Sequence, residues 1–364
     1  MPASPIQNRI NPVRAHTLAV LAGLLCIVAP AAHAGKRVIA TTAGVDIDVP
    51  VGGAADSVMF SGVTDPVTGF AVTARFVSPV ADTGGGAYPW SVDFGITATA
   101  PGGASATSPE PWFGDVSFAA FPVADGFGGY AGVDGNGAWS LAFDSGVIAP
   151  FVAGLRDVSY HLLADAADIE SAYTENTQQG NSWNRPFFIT GISGLGPVDY
   201  HVLEFTVETS GLYDFASVLA SGNDHWTCLY IDSFNDAQPL GNLHEYGLGN
   251  GFSQFDVPRG ESRFTQLLLE DTTYYWVTSQ WSSFAAFSDF DNTITGPGQI
   301  FVAGQGCNLA DNAEPFGVLD LGDVQGFIGA FTSQDPSADV AAPFGVLDLA
   351  DLQAFIGAFL DGCP

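Results

Sequence analysis

The feature that most constrains this chain is a repeat near its carboxyl end. The segment Pro315–Phe331 recurs 28 positions later as Pro343–Phe359, with only three residue differences. A tandem repeat this close predicts that each copy is one supersecondary unit and that the two copies bury a shared apolar face. Neither copy is expected to fold alone.

Each copy reads as an acidic loop followed by a helix. The loops run from Asp311 to Asp323 and from Asp339 to Asp351. Apolar residues then recur at the spacing of one helix face. They are Val324, Phe327, Ile328 and Phe331, and Leu352, Phe355, Ile356 and Phe359. The sequence therefore predicts two loop–helix units.

The loop aspartates are candidate metal ligands, because Ca²⁺ prefers a shell of carboxylate and carbonyl oxygens. The candidates are Asp311, Asp320, Asp323, Asp339, Asp348 and Asp351. Each loop is one residue longer than an EF-hand loop, and Ala313 and Pro315 stand where side-chain ligands are expected. The alternative is a metal-free loop, held by inward packing of Pro315 and Phe316 and by helix capping from Asp320 or Asp323.

Gly-Cys pairs flank the repeat at Gly306-Cys307 and Gly362-Cys363. With these pairs, the segment resembles a dockerin, most closely the bacterial type that carries them. The resemblance implies calcium as the cofactor and a non-catalytic attachment to a cohesin-like receptor. Gln325 and Gln353, expected on the exposed helix faces, are the predicted partner-binding residues.

The amino end predicts a secretory signal peptide over residues 1–34. Arg9 and Arg14 precede an apolar run over 18–29, and small residues follow up to Ala34. The run is too short for a transmembrane segment, so we expect a secreted protein, extracellular or at the cell surface. In an oxidising compartment Cys307 and Cys363 are expected to form a disulfide worth roughly 4 kcal/mol. Cys228 is expected to be a buried, inert thiol.

Charge excludes several partner classes. After residue 34 the chain carries seven Lys and Arg against 39 Asp and Glu, a formal net charge of −32. Such a chain repels nucleic acid and anionic lipid. The many glycines and phenylalanines indicate short strands joined by turns.

The region before the repeat predicts a mostly β fold. We expect two antiparallel, jelly-roll-like β-sandwich domains over residues 35–165 and 166–303, and the small α-helical domain over 304–364. A polar linker is expected around Asp165–Thr177. The clearest predicted strands are Val67–Val77, Gly137–Phe143, Leu155–Leu162, Tyr200–Val207, His225–Ile231 and Thr273–Thr278.

Two further resemblances concern these β segments. Ile47–Pro50, Gly137–Leu141 and Val158–Leu162 resemble the jelly roll that follows the catalytic domain in proprotein convertases. Phe205–Val207, Trp226–Tyr230 and Leu267–Tyr275 resemble a bacterial pre-peptidase C-terminal domain. Both resemblances imply accessory modules without catalytic groups.

Known catalytic patterns are missing from the sequence. It contains no Gly-x-Ser-x-Gly motif, and its single lysine, Lys36, rules out a phosphate-binding loop with lysine. His161, His201, His225 and His244 occur singly in strand or turn patterns, which favours structural roles. We therefore expect a non-catalytic binding or anchoring protein. The alternative is a carbohydrate-active enzyme or carbohydrate-binding component that recognises extracellular glycan. Trp90, Trp112 and Trp139 are candidates for a stacking platform, but aromatic residues in a sandwich usually fill the core. Trp139, which is flanked by alternating apolar residues, is expected in the core.

Overall fold

Strands distant in the sequence pair into three main sheets and one short hairpin. The computed structural model describes residues 35–50, 53–77, 94–108, 121–145, 153–177, 180–187, 191–248, 258, 260–285, 288–302, 308–313, 318–341 and 346–362. All the strand pairs in this part of the chain are antiparallel, and two helices follow the last strand. The predicted class, mostly β with β-sandwich layers and a small helical end, is confirmed.

The strands precede both helices in the chain. They are β1 (Lys36–Ala43), β2 (Ile47–Val49), β3 (Ala54–Phe60), β4 (Val67–Val77), β5 (Phe94–Thr99), β6 (Ser105–Thr107), β7 (Phe121–Val133), β8 (Gly137–Ser145), β9 (Ala153–Asp165), β10 (Ile169–Asn176), β11 (Ser182–Trp183), β12 (Pro186–Phe187), β13 (Gly191–Ile192), β14 (Val198–Val207), β15 (Gly211–Leu219), β16 (His225–Ile231), β17 (Leu243–Leu248), β18 (Glu261–Leu268), β19 (Tyr274–Gln280), β20 (Asp289–Gly296) and β21 (Ile300–Val302). The helices are α1 (Leu321–Ser333) and α2 (Leu349–Asp361), with a short 3-10 segment at Pro336–Ala338 between them.

The first sandwich packs the sheet β3-β8-β5-β6 against strands β2, β4, β7 and β9 of the largest sheet. Strand β8 shows why, since its alternate residues Trp139, Leu141 and Phe143 are buried and the residues between them are exposed. Trp139 lies at the centre of this core, with ring centroids 5.5 Å from Phe70 and 5.3 Å from Tyr130. The prediction that Trp139 is a core residue is confirmed.

The largest sheet continues from the first predicted β segment into the second. Its strand order is β10-β20-β15-β1-β9-β4-β7, with β18 paired to β15 and β2 paired to β9. The link is β1, which pairs with β9 along its length and with β15 at Lys36 and Arg37. A small apolar cluster of Ala71, Leu163 and Leu267 joins the same two segments. The predicted boundary near residue 165 stays a prediction.

The second sandwich is built around the sheet β11-β14-β19-β16-β17, with β21 paired to β14. Both faces of this sheet are buried. On one face, Phe205, Tyr274 and Trp276 pack against residues from strands of the largest sheet. The other face carries a separate cluster around Trp183 and Trp226.

The expected linker around Asp165–Thr177 was wrong. Residues Ile169–Asn176 form β10, which pairs along its whole length with β20. The polar side chains that suggested a linker lie on the terminal strand of the sheet, where one face contacts solvent. The residues that turn inward include Tyr173, whose hydroxyl accepts a hydrogen bond from Asn292 at 2.7 Å.

No helix in the described ranges is long and apolar enough to cross a bilayer. The predicted signal peptide over residues 1–34 lies outside the described residues.

Candidate functional site

Helix α1 begins with a capping box made by two of the predicted metal ligands. Asp320 is the N-cap, and its Oδ1 accepts the Gly322 N–H at 2.6 Å. Asp323 reaches back, and its Oδ2 accepts the Asp320 N–H at 2.8 Å. Both contacts satisfy N–H groups that lack a partner inside the helix. The alternative of helix capping by Asp320 therefore matches the structure.

Asp323 also closes the loop that precedes the helix. Its Oδ1 accepts the N–H groups of Asn312 and Ala313 at 2.8 and 2.9 Å. The Asp323 carboxylate is completely buried and holds three backbone N–H groups in total. We call this set of three hydrogen bonds a loop clasp.

The second copy contains the same loop clasp. The buried Asp351 accepts the N–H groups of Val340 and Ala341, both at 2.9 Å, and that of Asp348 at 2.8 Å. Asp348 caps α2 by accepting the Ala350 N–H at 2.7 Å. These N–H donors lower the pKa of Asp351, with the Asp348 N–H as the largest cause. The carboxylate is therefore charged at neutral pH.

The two copies share one apolar cluster, which contains a stacked aromatic pair. The rings of Phe327 and Phe355 stack with centroids 4.1 Å apart and planes 11° apart. Each ring also contacts the phenylalanine four residues later, at 5.9 Å for Phe331 and 6.0 Å for Phe359. Equivalent residues of the two copies therefore pair with each other, with matching neighbours on each helix. The predicted shared face is confirmed for Val324, Phe327, Phe331, Leu352, Phe355 and Phe359. It was wrong for Ile328 and Ile356, which are half exposed.

Each helix, together with the loop residue three positions before it, exposes apolar side chains at equivalent positions in the two copies. We call them the apolar stripes: Val318, Leu321 and Ile328 in the first copy, and Val346, Leu349 and Ile356 in the second. Their exposed fractions are 56, 67 and 51% in the first copy and 54, 66 and 50% in the second. Gln325 and Gln353, the predicted partner-binding residues, are exposed between the leucine and the isoleucine of each stripe.

Of the remaining predicted metal ligands, Asp311 is buried and Asp339 is half-buried. Among the residues that the structure describes, no three His, Cys, Asp or Glu side chains are grouped so that they could share a metal ion. Calcium binding stays a prediction.

Cys307 and Cys363 lie outside the described residues, so their disulfide stays a prediction. Their immediate neighbours are in contact: Asn308 Nδ2 donates to the carbonyl oxygens of Ala358 and Gly362 at 2.9 and 2.8 Å. The mass of the C-terminal peptides under non-reducing conditions would test the bridge.

The prediction of Cys228 as a buried thiol is confirmed. It is fully buried, and burial raises the pKa of its thiol, so the thiolate nucleophile is not available at neutral pH. Nearby, the buried Arg185 guanidinium lies between the rings of Trp226 and Trp281, at 4.8 and 4.2 Å from their centroids. This arrangement was not predictable from the sequence, because nothing in the local pattern around Arg185 indicates which rings it meets.

The described histidines have side-chain partners that fit structural roles. His161 bonds Thr41 and Thr73 at 2.9 and 3.0 Å, and His225 bonds Ser217 at 3.0 Å. Burial lowers the pKa of both His161 and His225 to about 4. Both are therefore neutral at pH 7.

The predicted stacking platform is not seen in the described part of the chain. Trp139 is buried, as are Trp183, Trp226 and Trp276. Trp90 and Trp112 lie outside the described residues.

Comparison with known proteins gives no family. No protein-family model matches the chain, and no curated protein matches it in sequence. Among solved structures, the chain is similar to the N-terminal CBM22-1-CBM22-2 tandem domain from Paenibacillus barcinonensis Xyn10C, with 13% identity and a TM-score of 0.20 over 73% of this chain and 99% of that chain. It is also similar to the STIV MCP, with 9% identity and a TM-score of 0.23 over 71% and 96% of the two chains. Because both TM-scores are low, the function proposed below depends on the chain's own contacts.

Proposed function

We propose that this chain is a secreted, non-catalytic anchoring protein whose helical tail, residues 304–364, attaches the β-sandwich region to a protein partner. The observation that carries the proposal is the pair of apolar stripes. Each exposes a leucine and an isoleucine on its helix and a valine in the preceding loop, at equivalent positions in the two copies. Exposed apolar surface that is grouped in this way marks interaction sites.

The stripes could supply substantial binding energy. Full burial of one leucine or isoleucine side chain contributes about 1.5–3 kcal/mol, so one stripe offers several kcal/mol before the costs of association. The leucine and isoleucine of each stripe lie on a helix, so a partner would receive them in a groove. The exposed residues between them, Gln325 and Gln353, supply amide hydrogen bonds at the rim.

Charge favours a different protein over a second copy of this chain. The full sequence has a formal net charge of −30, and two such chains repel each other. The stripes themselves contain no charged residue. The partner that fits is an apolar groove with a neutral or basic rim, in keeping with the cohesin-like receptor that the dockerin resemblance implies.

A matched pair of variants tests the proposal on the full exported chain. The test variant replaces Leu321 and Leu349 by serine. The control replaces Val45 and Met59 of the β region, which are similarly exposed at 62 and 63%. A protein captured from cell-envelope extract by crosslinking would be purified and titrated against all three chains by calorimetry.

We expect saturable binding to the unmodified chain and to the control, and a loss of at least about tenfold in affinity for the test variant. Equal affinity for both variants would contradict the proposal. Concentration-dependent self-association of the chain that the Leu321 and Leu349 substitutions abolish would instead show that the stripes are an interface between two copies.

The β-sandwich region is the attached part in this proposal. Its likeness to proprotein-convertase and pre-peptidase accessory modules, and a glycan as its ligand, belong to the proposal as alternatives. A glycan array probed with the full chain, together with a turnover assay on any glycan bound, tests the carbohydrate alternative.

A further inference from the structure

The duplicated loops differ from calcium loops in what their carboxylates contact. A calcium loop directs carboxylate and carbonyl oxygens toward one cation. In the tail, the Asp323 and Asp351 carboxylates instead receive backbone N–H groups of their own loops. The loops are thus arranged around a buried negative charge.

The hydrogen bonds leave little capacity for a cation. A carboxylate has about four acceptor sites, and three on each of Asp323 and Asp351 are occupied. An N–H group presents its positive end, so the donors that stabilise the carboxylate would oppose a cation at the same oxygens. A cation there would have to displace loop hydrogen bonds in a fully buried position.

Differences between the two copies support the same conclusion. The first loop clasp uses the N–H groups of Asn312 and Ala313, and the second uses those of Val340 and Ala341. Asn312 could offer a side-chain oxygen, but its equivalent Val340 could not. The copies therefore share the backbone donors and the buried carboxylate, while a potential oxygen ligand is present in only one.

We infer that both loops close without a metal ion, because the buried carboxylates of Asp323 and Asp351 gather the loop N–H groups themselves. The carboxylates of Asp323 and Asp351 do not fit a calcium site. The tail should then fold equally well with calcium and with a chelator. This inference does not depend on the proposed docking function, since it concerns folding of the tail alone.

The first experiment uses the full exported chain without substitutions. Hydrogen exchange of residues 318–341 and 346–362 would be followed by mass spectrometry in about 1 mM CaCl₂, a concentration at which extracellular calcium modules bind, and in EGTA. We expect exchange in the two conditions to agree within about twofold. Tail exchange that slows about tenfold or more in calcium, with two ions bound per chain by calorimetry, would overturn the inference. Calcium binding that leaves tail exchange unchanged would place the ion elsewhere and support it.

The second experiment compares two matched double variants. Asp323→Asn with Asp351→Asn keeps the side-chain shape, but each new amide NH₂ faces backbone N–H groups that need an acceptor. Asp320→Asn with Asp348→Asn removes the same charge from the caps, where asparagine serves as well as aspartate. We expect tail exchange to rise by about tenfold or more in the first variant and by less than about threefold in the second, in EGTA and in calcium alike.

The seven tryptophans all precede residue 304, so their fluorescence reports whether the β region of each variant is folded. If both double variants raised tail exchange equally, and only in calcium buffer, the four aspartates would be calcium ligands. That result would overturn the inference. If the Asp323 and Asp351 variant does not fold its tail at all, the comparison of calcium and EGTA on the unmodified chain still decides.

Discussion

The β region and the helical tail place their large apolar side chains differently. In the described part of the chain, 16 large apolar residues are exposed, and eight of them lie between Leu309 and Leu360. The tail is nevertheless the shortest of the three predicted domains. In the β region, by contrast, Trp139, Trp276 and many other aromatic residues fill cores between sheets.

The difference teaches that the two regions use hydrophobicity for different purposes. Trp139 in the β region has no contact with solvent, so its apolar surface stabilises the fold. Leu321 and Leu349 in the tail are two-thirds exposed, so their apolar surface is available for contact with a partner. Substitutions in the two regions should therefore separate stability from binding.

The largest effect is expected from Trp139→Ala. It removes contacts with Phe60, Phe70 and Tyr130 and the indole hydrogen bond to the Gly135 carbonyl at 2.9 Å. We expect a loss of about 3–5 kcal/mol in the free energy of unfolding, measured by urea unfolding followed by fluorescence of the remaining tryptophans. The exposed Met59→Ala is the control and should change stability by less than about 0.5 kcal/mol. A small effect at Trp139 would contradict the assigned core.

Phe327→Ala should act on the tail alone. It removes the stack with Phe355 and should cost about 3 kcal/mol. We expect faster hydrogen exchange in α1 and α2 with no change in the urea midpoint of tryptophan fluorescence. A shift of that midpoint would show that the tail and the β region unfold together.

Acid should affect the two regions in separate pH ranges. Burial lowers the pKa of His161 and His225 from 6.5 to about 4. As pH falls, these histidines therefore take up protons in the unfolded chain before they do so in the folded chain. The stability that these neutral histidines permit is complete above pH 6.5 and is lost as pH falls toward 4, on the order of 3 kcal/mol for each. The pKa of Asp351 is lowered from 3.8, so its contribution is complete above that value and is lost only in stronger acid.

We therefore expect tryptophan-detected stability to fall between pH 6.5 and 4 while tail exchange, corrected for its intrinsic pH dependence, stays protected. His161→Gln should reduce the slope of stability against pH in this range. An unchanged slope would show that His161 does not titrate as its burial implies.

The smallest effect on stability is expected from Ile328→Ser with Ile356→Ser. Both side chains are half exposed, so the free energy of unfolding should change by about 0.5 kcal/mol or less. Thermal melting followed by circular dichroism, beside the Phe327→Ala chain, tests this contrast. A large loss would mean that the stripes are part of the tail's own core.

Local patterns were sufficient for several elements. The predicted strands Val67–Val77 and His225–Ile231 coincide with β4 and β16, because their flanking turn residues mark both ends. The helix pattern and the repeat predicted α1, α2 and their shared face, except that Ile328 and Ile356 are half exposed. The sequence also predicted helix capping by Asp320, as the alternative to metal ligation.

The pairing of strands that are far apart in the sequence could not be predicted from local patterns. The joining of β1 to both β9 and β15 depends on residues far apart in the sequence, and no local pattern specifies such partners. The linker prediction failed for this reason, since β10 becomes a strand by pairing with β20. Likewise, the sequence shows that Asp323 is an aspartate after an acidic loop, but only the folded loop shows that its oxygens face N–H groups.

The stacking of Phe327 on Phe355 has a consequence for chains that carry one copy of the repeat. The stack joins equivalent residues of the two copies, so a single copy carries a face that can pack against a second copy of itself. A chain ending after Ser333 would leave that face uncovered. Two such chains could restore the stack between them, and duplication within one chain makes the same association independent of concentration.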